Sequence, residues 1–281
     1  MSSRVFYLYR YQLLPITTQM SFLYDIKSII ANKNKYFHEA LFAIKSIETI
    51  KTRRKYKYEM EKYIDEYFMF IVSRQKNVKV ILEDHTKSDV DSFPFSRIII
   101  DNNDSNQIIA VQDSIEFSQK TIINSFKKYI NKILIDNHLI AQIEPVYKES
   151  DFWSFIKENK EDITSISFNL ITPNMSNISS CLSEDLKKAA KTTGAIETNL
   201  KFNSSSSGSL KIQPNNTAID GLVTYASQGG GEISVKTKGS RLGFCSNDYQ
   251  KTIEIDELDY KGDLNSLIAL IREVTNDGNH R

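Results

Sequence analysis

Segments with two different hydrophobic periods alternate along this chain, and that alternation restricts its fold more than any other feature. The run from Arg4 to Leu14 is rich in aromatic and β-branched residues and stops at Pro15, which is typical of a strand. The next apolar residues recur at the spacing of one helix face, and they are Phe22, Leu23, Ile26, Ile29 and Ile30. Strands interspersed with amphipathic helices predict an α+β fold with mostly antiparallel sheets and flanking helices.

The first half of the chain contains further segments of both kinds. A helix is predicted over 118–134, and strands are predicted over 41–50, 67–73, 97–100, 107–112 and 138–147. The polar cluster 101–106 is rich in turn-forming residues, so the two strands beside it form a predicted hairpin. A basic and aromatic connector, 51–58, joins the first two strands of this set.

The pattern restarts at Asp151, with an alternating strand over 163–171 and a helix that Ser183 opens and Gly194 ends. Further segments are a strand over 195–202, a helix over 217–226, a strand over 252–255 and a helix over 264–274. We therefore predict two domains. They are an N-terminal α+β domain over 1–150 and a C-terminal α+β domain over 151–281 that carries a basic strand over 231–241.

Composition excludes several classes of protein. The 281 residues are 40% hydrophobic and include two cysteines, which argues against a disordered chain or a disulfide scaffold. No apolar run reaches the roughly 18–20 residues that span a bilayer, so we expect a protein that is cytoplasmic or nuclear in character and does not itself cross the membrane. The 36 basic and 35 acidic residues give a net charge of +1, which argues against a uniformly basic protein that coats DNA.

The sequence offers little for catalysis. The four histidines are scattered, at His38, His85, His138 and His280, and no familiar catalytic motif surrounds them. The glycine run 229–231 lacks the Lys-Ser/Thr helix opening of a phosphate-binding loop. We therefore expect no enzymatic activity, no catalytic residue, no metal and no cofactor.

A metal-dependent nuclease is the enzymatic alternative. It would draw its carboxylates from Asp220 and Glu232 and its cation from Lys236. Glu232 and Lys236 are four residues apart on one predicted strand, about 13 Å at extended rise, which is too far for a shared metal site without a bend.

The segment from Glu232 to Arg241 is the most informative candidate for binding. In a strand, Lys236 and Lys238 project from the same face as Glu232, and Ile233 and Val235 project from the other face. Paired lysines on a strand can hold two phosphates without reading bases, and Arg241 adds a third cation. The glycines Gly229, Gly230 and Gly231 before the strand predict a hinge. An ordinary solvated strand face would show the same spacing.

The chain also resembles the RexA family of phage-exclusion proteins, whose founding member belongs to the Rex system of phage lambda. The run 231–238 is similar to the family's strand, in which an acid, Ile, Ser and an aliphatic residue precede two basic positions. Shorter similarities follow in the same order along the chain, at 6–10, 93–94, 142–145, 194–195 and 210–214. The part after Tyr260 matches poorly.

The resemblance implies a homodimer whose protomers have two domains joined by a β-strand hinge. It also implies that the dimer binds double-stranded DNA with little sequence preference and acts in phage exclusion. A small inner-membrane ion channel is the implied partner. Lys236 and Lys238 take the family's DNA-contacting positions, and Glu232 takes the neighbouring acidic one. Lys236 stands where the family has Arg. This keeps the positive charge but loses the two parallel hydrogen bonds that a guanidinium group can donate to one phosphate. A protein-binding phage sensor that never touches nucleic acid is a second alternative.

Overall fold

The computed structural model describes residues 3–16, 26–44, 56–116, 118–172, 182–239, 243–256, 259 and 262–276. Helices and antiparallel sheets share this part of the chain, so the predicted α+β class is confirmed. None of the described helices is long and apolar enough to cross a membrane.

The helices and strands are numbered in chain order. The strands are β1 Ser3–Pro15, β2 Tyr56–Ile64, β3 Tyr67–Arg74, β4 Lys76–Ile81, β5 Lys87–Ser92, β6 Phe95–Asp101, β7 Ile108–Gln112, β8 Leu139–Pro145, β9 Ile163–Ile171, β10 Glu197–Asn203, β11 Gly231–Thr237, β12 Phe244–Cys245 and β13 Thr252–Asp256. The helices are α1 Ile26–Ala31, α2 Lys33–Ala43, α3 Gln119–Leu134, α4 Glu149–Glu158, α5 Glu184–Thr193, α6 Thr217–Tyr225 and α7 Leu264–Asn276. A π-helical turn, Ala226–Gly230, links α6 directly to β11.

The first sheet is built around β1. Its strand order is β13-β1-β7-β6-β3-β2, and β8 also pairs with β1. The first half of β1 pairs with β13, and its second half, from Tyr9 to Pro15, pairs with β8. All of these neighbours are antiparallel.

Both faces of the first sheet are buried, because β1 carries apolar residues at odd and even positions. Tyr9, Tyr11 and Leu13 pack into the core that includes residues of α2 and α3. Phe6 and Leu8 point the other way, into the core that includes residues of α7. Fully burying a large apolar side chain contributes about 1.5–3 kcal/mol, so one strand anchors two hydrophobic layers.

The second sheet has the order β10-β9-β11-β12 and is also antiparallel. The alternating residues Ile166, Phe168, Ile233 and Val235 form one face, which packs into a core with residues of α4 and α6. The opposite face is polar.

The chain passes between the two sheets twice, and the two crossings lie side by side. Tyr147 forms an isolated antiparallel bridge with Gln250. Next to it, the amide of Val146 donates to the carbonyl of Leu8 at 3.0 Å, and the amide of Lys251 donates to the carbonyl of Val146 at 2.6 Å. A narrow, hydrogen-bonded pair of connections therefore joins the two sheets.

The division into domains at residue 150 stays a prediction, and the sheets divide the chain differently in one respect. β13 pairs with β1, and α7 packs on the first sheet. The Arg272 guanidinium donates two hydrogen bonds, of 2.5 and 2.9 Å, to the buried carboxylate of Asp101 on β6. The last strand and helix of the described part thus pack with the first sheet and not with residues 163–245.

Several local predictions need correction. The strand predicted over 41–50 is wrong at 41–43, because these residues are the last three of helix α2. Phe37 lies one helical turn before Ala40 and Leu41, and all three are buried in the same core. Residues 45–50 lie outside the described part. The connector predicted over 51–58 is wrong from Tyr56 onward, where β2 begins.

Candidate nucleic-acid interface

The side of the second sheet opposite its core is lined by polar side chains, and we call it the polar sheet face. The register of β9, β10 and β11 aligns these side chains in rows across the strands. Its members are Ser165, Ser167, Asn169, Glu197, Asn199, Lys201, Asn203, Glu232, Ser234 and Lys236. Small hydroxyl and amide groups make up most of it, so it presents hydrogen-bonding groups over three strands.

Charge is distributed unevenly along the polar sheet face. Glu232 shares a row with Asn169 and Asn199 toward one end. Lys201 and Lys236 lie in the next two rows toward the other end. The face therefore has an acidic end and a basic end.

The two lysines of the basic end are exposed and lie on different strands. Lys201 is on β10 and Lys236 is on β11, with β9 between them and an offset of two residues. Strand spacing and rise place their Cα atoms about 12 Å apart. That separation suits contacts with two different phosphates and not with one.

Lys238 lies just beyond the end of β11. The predicted alternation of side chains holds from Glu232 to Lys236, after which the register shifts and the strand ends at Thr237. The amide of Lys238 donates to the carbonyl of Asp162 at 2.8 Å, and its exposed ammonium group donates to the carbonyl of Ser207 at 3.1 Å. Lys238 therefore adds a third cation near the basic end, while Arg241 lies outside the described residues.

Glu232 is half-buried and accepts a hydrogen bond from the thiol of Cys245 at 3.2 Å. Burial, with further contributions from Glu232 and Asp248, raises the pKa of Cys245 to about 11. At neutral pH Cys245 is thus a thiol that holds Glu232 in place, and not a nucleophile.

Sequence reasoning missed Glu144 on β8, which lies near the acidic end. Burial, together with the negative charges of Glu232 and Glu197, raises the pKa of Glu144 to about 7, against the opposing effect of Lys127 at 4.0 Å. Only the period-two pattern of β8 could have indicated that Glu144 faces away from the core that holds Ile143. Its charged neighbours Lys127, Glu197 and Glu232 come from three separate segments, which the sequence does not align.

The predicted hinge glycines are buried where the second sheet meets the first. A Cβ on Gly229, whose φ is +84°, would lie 2.5 Å from the Cβ of Arg10. A Cβ on Gly230 would meet the ring of Tyr225, and one on Gly231 would meet the backbone of Asn169. These glycines are needed for close approach of the backbone, and their burial leaves no open loop for a phosphate. Hinge motion at these positions stays a prediction.

The described residues do not bring the proposed nuclease residues together. Asp220 is in α6, which packs on the apolar face of the second sheet, whereas Glu232 projects from the opposite face. Among the described residues, no group of three or more His, Cys, Asp or Glu side chains is placed to hold a metal ion.

Comparison with known proteins gives no match, either to a protein-family model, to a curated protein or to a solved structure.

We predict that Glu144→Gln stabilises the protein at alkaline pH and not at acidic pH. When folding raises the pKa of a carboxyl group, the free energy of unfolding of the protein falls as the group ionises. For Glu144 this fall lies between the unfolded pKa of about 4.5 and the folded pKa of about 7. The side chain is 23% exposed, so we expect an advantage of about 1–3 kcal/mol for the variant at pH 8 and none near pH 4. Urea unfolding across this pH range measures the difference.

Glu161→Gln, in the exposed turn before β9, is the control for the loss of one negative charge. The raised pKa of Glu144 would be contradicted if the free energy of unfolding of Glu144→Gln differed from that of the parent by the same amount at every pH from 4 to 8.

A second prediction compares two glycines that both have positive φ. Gly229→Ala should cost about 2–5 kcal/mol, because backbone strain adds to the clash with Arg10. Gly239 has a φ of +68°, and a Cβ there would have no neighbour within 4 Å. In Gly239→Ala, backbone strain alone should therefore cost about 1–2 kcal/mol. Thermal unfolding of the two variants measures the difference. Equal losses of stability would show that the residues around Gly229 move to accommodate the added methyl group.

Proposed function

We propose that this chain is a non-enzymatic, sequence-tolerant double-stranded DNA-binding protein that acts in phage exclusion. The observation that carries the proposal is the basic end of the polar sheet face. Three exposed lysines, Lys201, Lys236 and Lys238, lie around serine and asparagine side chains at this end of the sheet.

This set of side chains suits the phosphate backbone. Lysine neutralises phosphate charge, and serine and asparagine are frequent hydrogen-bond donors to phosphate oxygens. Ser165 separates Lys236 from Asn203, and Ser167 separates Ser234 from Lys201. Such contacts fix the position of a duplex and carry no direct sequence information, which agrees with sequence-tolerant binding.

The composition of the polar sheet face favours a duplex over single strands. Proteins that bind single strands stack unpaired bases on aromatic rings, which contribute about 1–3 kcal/mol for each base. None of the described members of the polar sheet face is aromatic, and Phe202 on β10 has the parity of the core face, where its ring contacts Phe168. Unpaired bases would therefore gain little on this surface.

The acidic end restricts the binding mode. Glu232, Glu197 and Glu144 interact electrostatically, and their charges repel phosphate within a Debye length of about 10 Å. A duplex would thus contact the basic end and avoid the other. With few phosphates neutralised, binding should be weak and sensitive to salt.

The biological setting rests on the resemblance to the RexA family, carried by residues 231–238 and the shorter similarities along the chain. It supplies the remaining parts of the proposal, which are a cytoplasmic homodimer, action in phage exclusion and a small inner-membrane ion channel as partner. A metal-dependent nuclease and a protein-binding phage sensor are the alternatives that an experiment has to separate from it.

The proposal is tested with the triple variant Lys201→Ala, Lys236→Ala, Lys238→Ala. We expect duplex affinity near 0.1 M salt to fall at least about tenfold, and the slope of log K against log salt to become less steep by about 2–3, since each lost phosphate contact removes about 0.9. Fluorescence anisotropy with two duplexes of unrelated sequence measures both quantities. The two duplexes should behave alike.

The matched control removes three exposed lysines from α3, with Lys120→Ala, Lys128→Ala, Lys132→Ala. It changes the net charge equally and should keep the parent's affinity. Equal losses in both triple variants would reject the polar sheet face as the site. Duplex cleavage with Mg²⁺ would favour the nuclease, and a parent that binds no DNA while still excluding phage would favour the sensor.

A further inference from the structure

The outer face of helix α3 concentrates positive charge in a chain whose charges are otherwise balanced. Its 16 residues include four lysines and no acidic residue. One of them, Lys127, lies 4.0 Å from Glu144. The other three, Lys120, Lys128 and Lys132, are exposed and form no ion pair within the described part of the chain. We call these three side chains the α3 lysines.

Two of the α3 lysines stand where they disfavour the helix. Lys120 is in the first turn, near the positive end of the helix dipole, where a carboxylate stabilises a helix and a cation does not. Lys132 suits the last turn, but Lys128 lies four residues before it, so their like charges repel on the helix surface. Stability alone would favour acidic residues at 120 and 128. Residues that conflict with such local rules are expected at functional sites, so the α3 lysines are candidates for binding.

The α3 lysines form a broad convex surface and not a cleft. At about 1.5 Å per residue they extend over about 18 Å of the helix, and at about 100° per residue they occupy about a third of its circumference. Ile135 continues the helical conformation after α3, lies near the middle of that arc and is 56% exposed. Asp136 follows it and falls outside the arc. The face thus presents cations around one exposed apolar side chain.

This surface is separate from the candidate DNA site. Glu144 lies 4.0 Å from Lys127 and interacts with Glu232 and Glu197, so the acidic end of the polar sheet face is the end directed toward α3. A duplex held at the basic end would have to pass these three carboxylates to reach the α3 lysines. A second anionic partner therefore suits α3 better than an extension of the same duplex.

The chemistry of the face favours an anionic lipid surface as that partner. Protein interfaces have an apolar centre from which charges are depleted, whereas α3 itself exposes no large apolar side chain. Lysine is a compact charge without the planar fork by which arginine recognises a single phosphate. Attraction to a charged leaflet needs no such geometry, and each nearby lysine strengthens it about fivefold. Ile135 can enter the headgroup region, as apolar residues of interfacial helices do.

We propose that the α3 lysines, together with Ile135, form a peripheral docking surface for membranes rich in anionic phospholipids. The inference does not depend on DNA binding, and it concerns attachment to a membrane surface and not a span. At about fivefold for each lysine, the three together strengthen binding roughly a hundredfold. The attachment is reversible, and salt weakens it by screening.

Co-sedimentation of the full chain with lipid vesicles tests the proposal. Vesicles of equal parts phosphatidylglycerol and phosphatidylcholine should bind the protein at about 0.05 M salt, and vesicles of phosphatidylcholine alone should not. The variant Lys120→Ala, Lys128→Ala, Lys132→Ala should lower the partition coefficient at least about tenfold. Arginine at the same three positions should keep it, because the attraction requires only the charge.

The matched control is Lys201→Ala, Lys236→Ala, Lys238→Ala, which removes the same charge from the polar sheet face and should keep the parent's partition coefficient. Circular dichroism and thermal unfolding check that each variant is folded. A parent that does not bind the anionic vesicles would overturn the proposal, as would equal losses in the two triple variants. Loss of duplex affinity without loss of vesicle binding in the α3 variant would assign these lysines to DNA instead. Measuring both variants against vesicles and duplex separates this proposal from the DNA-binding proposal.

Discussion

The pairing of β1 is the constraint on which the rest of the structure depends. This strand bonds to β13, β7 and β8, so it joins the beginning, the middle and the end of the chain in one sheet. Its alternation is also fixed, with Phe6 in one core and Tyr11 in the other. A slip of one residue would exchange the two faces and place Arg10 and Gln12 among the apolar residues of α2 and α3.

The same strand contacts α6, the π-helical turn and α7 through two buried polar side chains. Gln12 is buried and donates to the hydroxyl of Tyr225 at 3.0 Å. Arg10 is buried against Gly229 and donates to Asn276 at 2.8 Å, and burial lowers its pKa to about 10, so it stays protonated at neutral pH. A buried polar group without a partner is costly, and the hydrogen bond from Gln12 to Tyr225 offsets that cost for Gln12. The junction of the two sheets also sets the place of Glu144 beside Glu232.

The charge distribution of the candidate site follows from that arrangement. A net charge of +1 describes the whole chain, but a phosphate responds to charges within about a Debye length. The register of three strands collects Lys201 and Lys236 at one end of the polar sheet face, while the packing of the two sheets collects Glu144, Glu197 and Glu232 near the other. A chain of balanced charge can therefore present a locally basic surface.

The sequence by itself determined the α+β class, the hairpin of β6 and β7, the helix α3, and the alternation of Glu232, Ile233 and Lys236. These features depend on residues close together in the chain. Only the tertiary structure decided that Lys201 joins Lys236, that Glu144 lies near Glu232, and that β13 and α7 return to the first sheet. Period and propensity act over a few residues, whereas strand order and sheet packing depend on contacts between distant segments whose partners no local pattern specifies.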